Sequence, residues 1–278
     1  MPFSARPRKR FGQHWLKSDR VLSQIMEAAA LSASDRVLEI GPGTGMLTQR
    51  LLTQAAQVVA IEIDHDLSRR LQQQFIEASN FRLLQGDILQ LDWEAIAAVA
   101  SDRQLPNKVV ANIPYYITGP ILERLLGTIS HPHSPPFGSI VLLVQKEIAD
   151  RLCATAGSKT VGGLTVRVQY LAECEVICPV SPKAFQPPPK VASAVVRLRP
   201  RPFPQVANNP ALLERLLKLG FGSKRKMLRN NLSLLIERSP LLNILSALDI
   251  ANNVRAEDLS VADWVALSNK MLEEGYSS

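Results

Sequence analysis

Five short runs of β-branched and aliphatic residues alternate with stretches whose apolar residues fall at helical spacing, and no other feature limits the possible folds as much. The runs are RVLEIG (36–41), VVAIEID (58–64), FRLLQGD (81–87), KVVANIP (108–114) and SIVLLVQ (139–145). Between them lie GMLTQRLLTQ, LSRRLQQQFIEA and ILERLLGTI. Strands apolar on both faces, separated by amphipathic helices, belong in a parallel sheet covered by helices on both sides. A first helix, RVLSQIMEAAAL, has Ser18 or Asp19 available as its cap. Beyond the fifth run, GLTVRVQYLAE predicts a helix, and CEVICPVS and SAVVRLRP predict two final strands that pair antiparallel at one edge.

After RPRPFPQ, whose prolines forbid continued helix or central strand, the pattern changes. Only helical stretches follow: PALLERLLKLGF, KRKMLRNNLSLLIERS, LLNILSALD and SVADWVALSNKML. An α/β domain over 1–204 and a small all-helical domain over 205–278 are expected, and 278 residues suffice to bury both cores.

Composition sets outer limits. With 46% hydrophobic and 21% charged residues, the chain is ordinary globular material. No apolar run reaches the ~18 residues a bilayer span needs. The start, MPFSARPRKRFGQHW, has basic residues but no apolar run behind them, so a secretory signal is not expected. Three cysteines, Cys153, Cys174 and Cys178, argue for reduced thiols and a cytoplasmic setting. Cys174 and Cys178 lack a nearby histidine or CxxC partner, so strand packing is expected of them and no metal. The net charge of +7 is concentrated: residues 1–20 and 211–230 each carry +5, leaving −3 for the other 238 residues. Clustered positive charge on a slightly acidic body fits a polyanion footprint or, failing that, a solvated basic face.

LEIGPGTGML (38–47) follows the first strand and opens a helix, so Gly41 and Gly43 let backbone pass close to a ligand, with Glu39 just ahead of them. The spacing is G-x-G-x-G, not the G-x-G-x-x-G of a dinucleotide cradle, and Pro42 stiffens the loop. Glu62, 21 residues after Gly41, ends the second strand, where an acid accepts hydrogen bonds from both hydroxyls of a ribose. Asp87 ends the third, placed to accept from an adenine amino group with Ile88 against the ring. One such acid would be read as a helix cap. Three consecutive strand ends fit an adenosine-containing cofactor without a phosphate cradle, and S-adenosyl-L-methionine fits better than NAD.

The fourth strand ends in Asn112-Ile113-Pro114-Tyr115. An exocyclic amino group is a poor nucleophile because its lone pair is delocalised into the ring. An asparagine carbonyl and the Ile113 backbone carbonyl can accept its two hydrogens and favour the pyramidal nitrogen of a methyl-transfer transition state. Pro114 holds Ile113 extended, aiming that carbonyl, and Tyr115 offers a face for an extruded base. Asn112 thus has three candidate roles: holding the strand end, binding cofactor, or binding the target amine.

Together these motifs resemble those of the ribosomal RNA adenine N6-methyltransferases over nearly the whole chain, most closely the small-subunit dimethyltransferases. RKRFGQHWL (8–16) is similar to that family's N-terminal motif, EIGPGTG, AIEID and GDIL to its cofactor motifs, NIPY to its catalytic motif, and VQKEIADRL to the stretch after its fifth strand. AFQPPPKVASAVVRL resembles the segment whose phenylalanine, here Phe185, covers the target base, and FGSKRKMLRNNL resembles the basic helix of its C-terminal domain. Trp15 stands where phenylalanine is usual, and Ile113 where leucine is commoner. The second departure spares the acceptor carbonyl.

The resemblance implies a Rossmann-like S-adenosylmethionine-dependent methyltransferase fold with a seven-stranded, mostly parallel sheet. It places Gln13, His14, Leu16, Gly41, Gly43, Glu62, Ile63, Asp87, Ile88 and Asn112 at the cofactor. RNA contacts are expected from Arg8, Lys9, Arg10, Lys224, Arg225, Lys226 and Arg229. The implied substrate is a pair of adjacent adenosines near the 3′ end of small-subunit rRNA, each dimethylated at N6 during subunit assembly by a monomeric enzyme with no membrane partner. The rival readings are a large-subunit rRNA methylase conferring antibiotic resistance, a DNA adenine methylase, and a non-catalytic RNA-binding or transcription factor on the same fold. The basic motif and AFQPPPKV speak against the first, the leading asparagine against the second, and the complete NIPY and cofactor set against the third.

Overall fold

All five apolar runs are strands in the computed structural model, which describes residues 7–8 and 12–277. In chain order the strands are β1 (Trp15–Leu16), β2 (Arg36–Ile40), β3 (Gln57–Glu62), β4 (Phe81–Gln85), β5 (Lys108–Asn112), β6 (Ser139–Gln145), β7 (Ala172–Val180), β8 (Phe185–Gln186) and β9 (Ser193–Pro200). Seven of them form one sheet in the order β4-β3-β2-β5-β6-β9-β7. Strands β2 to β6 run parallel, with Leu38 paired to Val59 on one side and Val109 on the other. β9 runs antiparallel to β6, with Val141 opposite Arg197, and β7 closes that edge beside β9. β3 is buried at every position, which is why its interior, Val58 to Ile61, is a continuous apolar run between the buried polar ends Gln57 and Glu62. The Rossmann-like fold expected from the motifs is therefore the one observed.

Strand order reverses at β2, since β3 and β4 lie to one side and β5 and β6 to the other. Connections leaving the carboxyl ends of β2 and β5 diverge there, and such a switch point opens a crevice. The helices flanking the sheet are α1 (Asp19–Ala29), α2 (Met46–Leu51), α3 (His65–Gln74), α4 (Trp93–Val99), α5 (Thr118–Leu126) and α6 (Lys146–Leu152). Ser18 caps α1, accepting from the Val21 amide. α4 was not among the expected helices: WEAIAAV is short, has three alanines in seven residues and buries only Ile96, so it carries no apolar stripe to detect. Leu22 and Ile25 of α1, Leu51 of α2 and Leu71 of α3 pack in one core cluster with Val37, Val58 and Val110 of the sheet. Each such side chain contributes about 1.5–3 kcal/mol by leaving water.

The chain contacts divide into two compact units. One runs to Leu125 and takes in Pro135–Ala149 and Glu175–Pro200, and the other comprises Leu126–Ser134, Asp150–Cys174 and the segment from Arg201 onward. The second unit holds α7 (Gly163–Leu171), α8 (Pro210–Gly220), α9 (Leu228–Asn231), α10 (Arg238–Ala247) and α11 (Val261–Glu273). Its centre is Trp264 of α11, fully buried with its ring 5.6 Å from that of Phe221. α11 begins in a capping box, Ser260 Oγ accepting from the Asp263 amide at 3.1 Å and Asp263 from the Ser260 amide at 2.9 Å. The Glu214 carboxylate of α8 accepts from the Ile129 and Ser130 amides, fastening residues 126–134 to this unit.

One helical expectation fails. KRKMLRNNLSLLIERS is not a continuous helix; the four residues of α9 stand between turns, and only its last two residues, Arg238 and Ser239, begin the next helix, α10. Met227 is extended, and the Leu228 amide donates to the Val254 carbonyl at 2.8 Å instead of to a preceding turn. Asn231 Nδ2 reaches back to the Ser223 carbonyl at 3.0 Å, tying up the turn that carries the basic residues. Pro240, in the first turn of α10, would also have cost a through-running helix one hydrogen bond.

Candidate active site

The carboxyl ends of β2, β3, β4 and β5 open into a solvent-accessible cleft. Its walls are residues 12–15, 40, 41, 43, 61–63, 67, 86–89 and 112–117. The glycine loop between β2 and α2 is shaped by close approach. Gly43 has φ +59°, and a Cβ there would lie 2.9 Å from Trp15 Cδ1, so only glycine lets the loop pass the indole. Gly41 has φ +66° and faces the Asn112 carbonyl across the switch point.

Glu62 sits at the end of β3, 4% exposed, with one backbone donor on each oxygen: Gly43 N–H to Oε2 at 3.2 Å and Asp64 N–H to Oε1 at 2.9 Å. Burial raises its pKa, opposed by those two hydrogen bonds. A carboxylate oxygen has about two acceptor positions, so each keeps room for one more donor such as a ribose hydroxyl. Asp87 Oδ1 accepts from the Leu89 amide at 2.9 Å, closing the turn after β4. It is thus a cap as well as a lining residue. Ile88 is buried beside it, while Ile63 is 42% exposed at the mouth. These carboxylate acceptors suit the hydroxyl and amino donors of an adenosine.

At the end of β5, Asn112 Nδ2 donates to the His14 carbonyl at 3.0 Å. A carbonyl only accepts, so the amide orientation is fixed by chemistry and Oδ1 remains the acceptor. His14 Nδ1 lies 2.9 Å from the Pro187 carbonyl and must therefore carry the proton. The Tyr115 ring stacks on that of His14, centroids 6.0 Å apart at 22°, and its hydroxyl pairs with the buried Ser193 hydroxyl at 2.6 Å. Below the glycine loop, the Glu39 carboxyl is 1% exposed and accepts from Thr48 Oγ1 at 2.7 Å. Burial pushes its pKa up to about 8, with the nearby Glu62 charge adding to the rise.

The chain matches the ribosomal RNA adenine dimethylase family over residues 4–273. It belongs to that family. A ribosomal RNA small subunit methyltransferase A from Synechococcus elongatus is 59% identical over 260 residues, covering 94% of this chain and 93% of the relative. Among solved structures, a dimethyladenosine transferase from Plasmodium falciparum superposes with a TM-score of 0.80 at 28% identity, over 95% of this chain and 99% of that one. The 23S rRNA methyltransferase ErmE gives 0.70 at 26% identity, over 92% and 98%.

For this dimethylase-family chain, Gln13, His14, Gly41, Gly43, Glu62, Ile63, Asp87, Ile88, Asn112, Ile113, Pro114 and Tyr115 all line the one cleft. Three expected residues are elsewhere. Leu16 lines an adjoining recess of about 300 Å³ with Glu39 and Thr44 instead of the cleft. Phe185, expected over the target base, is 1% exposed, pairs with Leu16 in the β1–β8 ribbon and packs in the core cluster, so it does not line the cleft. Arg8 does not point to solvent phosphates but makes ion pairs with Asp64, at 3.1 Å, and Asp66. Lys9 and Arg10 lie outside the described residues. Lys224, Arg225 and Lys226 are exposed on the turn before α9, while Arg229 is half-buried and donates to the Asn252 carbonyl at 2.6 Å. Tyr116, 59% exposed at the mouth, and Asp64, beneath the N-terminal wall, were not anticipated; the doubled tyrosine and the second acid of AIEID were their only signals.

Proposed function

We propose that this chain dimethylates N6 of two adjacent adenosines near the 3′ end of small-subunit rRNA, within an assembling particle, using S-adenosyl-L-methionine. When bound, that cofactor supplies an electrophilic methyl group on a sulfonium sulfur. Residues 1–204 would carry the chemistry and 205–278 would hold RNA, in a cytoplasmic monomer. The observation that carries the reading is the fixed amide of Asn112, whose Oδ1 is left as an acceptor at the cleft wall next to Ile113 and Pro114.

Asn112 Oδ1 and the Ile113 carbonyl accept the two hydrogens of the N6 amine, drawing its lone pair out of the ring. Tyr115, backed on one face by His14, presents the other face to the base. No side-chain base is needed beforehand, because the amine proton becomes acidic once nitrogen has gained the methyl. A small-subunit substrate is favoured over the large-subunit one by the 59% identity to a small-subunit methyltransferase against 26% to ErmE. Transfer of labelled methyl to undermethylated small subunits, followed by mapping of the modified bases, tests the reading. Label found solely in large-subunit RNA, or in none, would overturn it.

Two variants follow from the same reading. Glu62→Ala removes the acceptor for both ribose hydroxyls and is expected to weaken S-adenosylmethionine binding by roughly 1–3 kcal/mol. Calorimetry with unchanged affinity in a folded variant would free Glu62 of that role. For Lys224, Arg225 and Lys226, which carry no ion pair among the described residues, neutralising all three should reduce the slope of log K against log salt for RNA by about 3. An unaltered slope would make this turn a solvated face.

A further inference from the structure

The N-terminal wall of the cleft, residues 12–15, precedes all but a two-residue strand, so its position depends on point contacts. On the β5 side it is held by Asn112 on the His14 carbonyl and by His14 Nδ1 on Pro187. The opposite anchor is a single carboxylate. Asp64, 2% exposed, accepts from Arg8 Nη1 at 3.1 Å and from the Asp66 amide at 3.0 Å on Oδ1, and from Gln13 Nε2 at 3.2 Å on Oδ2. Its own amide donates to Glu62 Oε1 at 2.9 Å. Arg8 spans both acids, reaching Asp66 with its other nitrogen, and its backbone amide donates to Gln13 Oε1 at 2.7 Å.

We propose that Arg8 and Asp64 form an ionic latch that positions residues 12–15 over the cofactor cleft, making Arg8 a positioning residue for cofactor binding and not a phosphate contact. Three facts favour this over a casual surface pair. The acid is buried, so losing Arg8 leaves a charge in low dielectric with one amide and one side-chain amide for company. The guanidinium forks across two carboxylates, which a point charge cannot do. Both partners of the latch lead directly to cleft-lining groups, Gln13 on one side and Glu62 on the other. Arg8 is itself 37% exposed, so the effect is moderate and salt-dependent.

The inference rests on the reading of the cleft as an S-adenosyl site, and two measurements keep the two apart. In the full chain without ligand, amide hydrogen exchange across residues 12–17 should rise in Arg8→Ala. In calorimetry with S-adenosylhomocysteine as probe, Arg8→Ala should bind about 3- to 10-fold more weakly, and Arg8→Lys should recover part of the loss. The salt slope of RNA binding should stay as in the wild type. Unchanged exchange and unchanged affinity in Arg8→Ala would overturn the latch, as would a salt slope reduced by about 1, which would mark Arg8 as a phosphate contact. A wild-type chain that fails to bind the probe would overturn the cofactor reading instead, with exchange still deciding whether Arg8 holds the wall.

Discussion

Asn112→Ala is expected to slow methyl transfer about 100- to 1000-fold, roughly 3–4 kcal/mol, the cost of removing one preorganised group from a developing charge. Its amide has one contact in the structure and one proposed role in the reaction, and the two separate experimentally. Nδ2 holds the His14 carbonyl, a contact of a half-exposed residue worth about 1 kcal/mol of stability. Oδ1 is the proposed acceptor for the target amine, and on that reading its loss acts on the rate alone. RNA affinity should barely move, because phosphate contacts dominate it. The test is single-turnover methylation at saturating cofactor and RNA, with melting temperature measured alongside. A near-wild-type rate in the folded variant would leave Asn112 with only its structural bond to His14, and the acceptor role would fall.

What was legible in the sequence is what local chemistry dictates. Glycines at 41 and 43 after an apolar run, and acids or amides at 62, 87 and 112, are set by strand ends and turns, so their convergence follows once the strands are parallel and ordered about a switch point. What was not legible depends on partners distant in sequence. Phe185 is buried because it pairs with Leu16 across the β1–β8 ribbon, and nothing near AFQPPPK announces that partner. Arg8 sits in a basic run that looks like a polyanion footprint, yet its carboxylates are at 64 and 66. The basic motif around 224–226 has helical spacing, but Asn231 and the Val254 carbonyl spend its backbone bonds elsewhere. Short β ribbons and side-chain tethers of this kind have no period to detect.

Glu39 gives the second large effect, in stability against pH. Folding raises its pKa from 4.5 to about 8, so the folded chain binds this proton more tightly than the unfolded one. The stabilisation is therefore fully present below about 4.5 and is lost as pH rises through about 8. At 1.36 kcal/mol per pKa unit the loss amounts to roughly 3–5 kcal/mol once the carboxyl is ionised. Glu62, also raised by burial, titrates in the same direction and keeps part of the slope. Glu39→Gln preserves the volume and the acceptor for Thr48 but has no charge to gain. Urea unfolding should show the variant close to wild type near pH 5 and more stable by several kcal/mol near pH 9. Parallel stability curves for the two proteins across that range would show that Glu39 is not the titrating group. The arrangement also bears on the cleft: a neutral Glu39 spares Glu62 a second buried charge beside it, which eases ionisation of the carboxylate proposed to receive ribose hydroxyls.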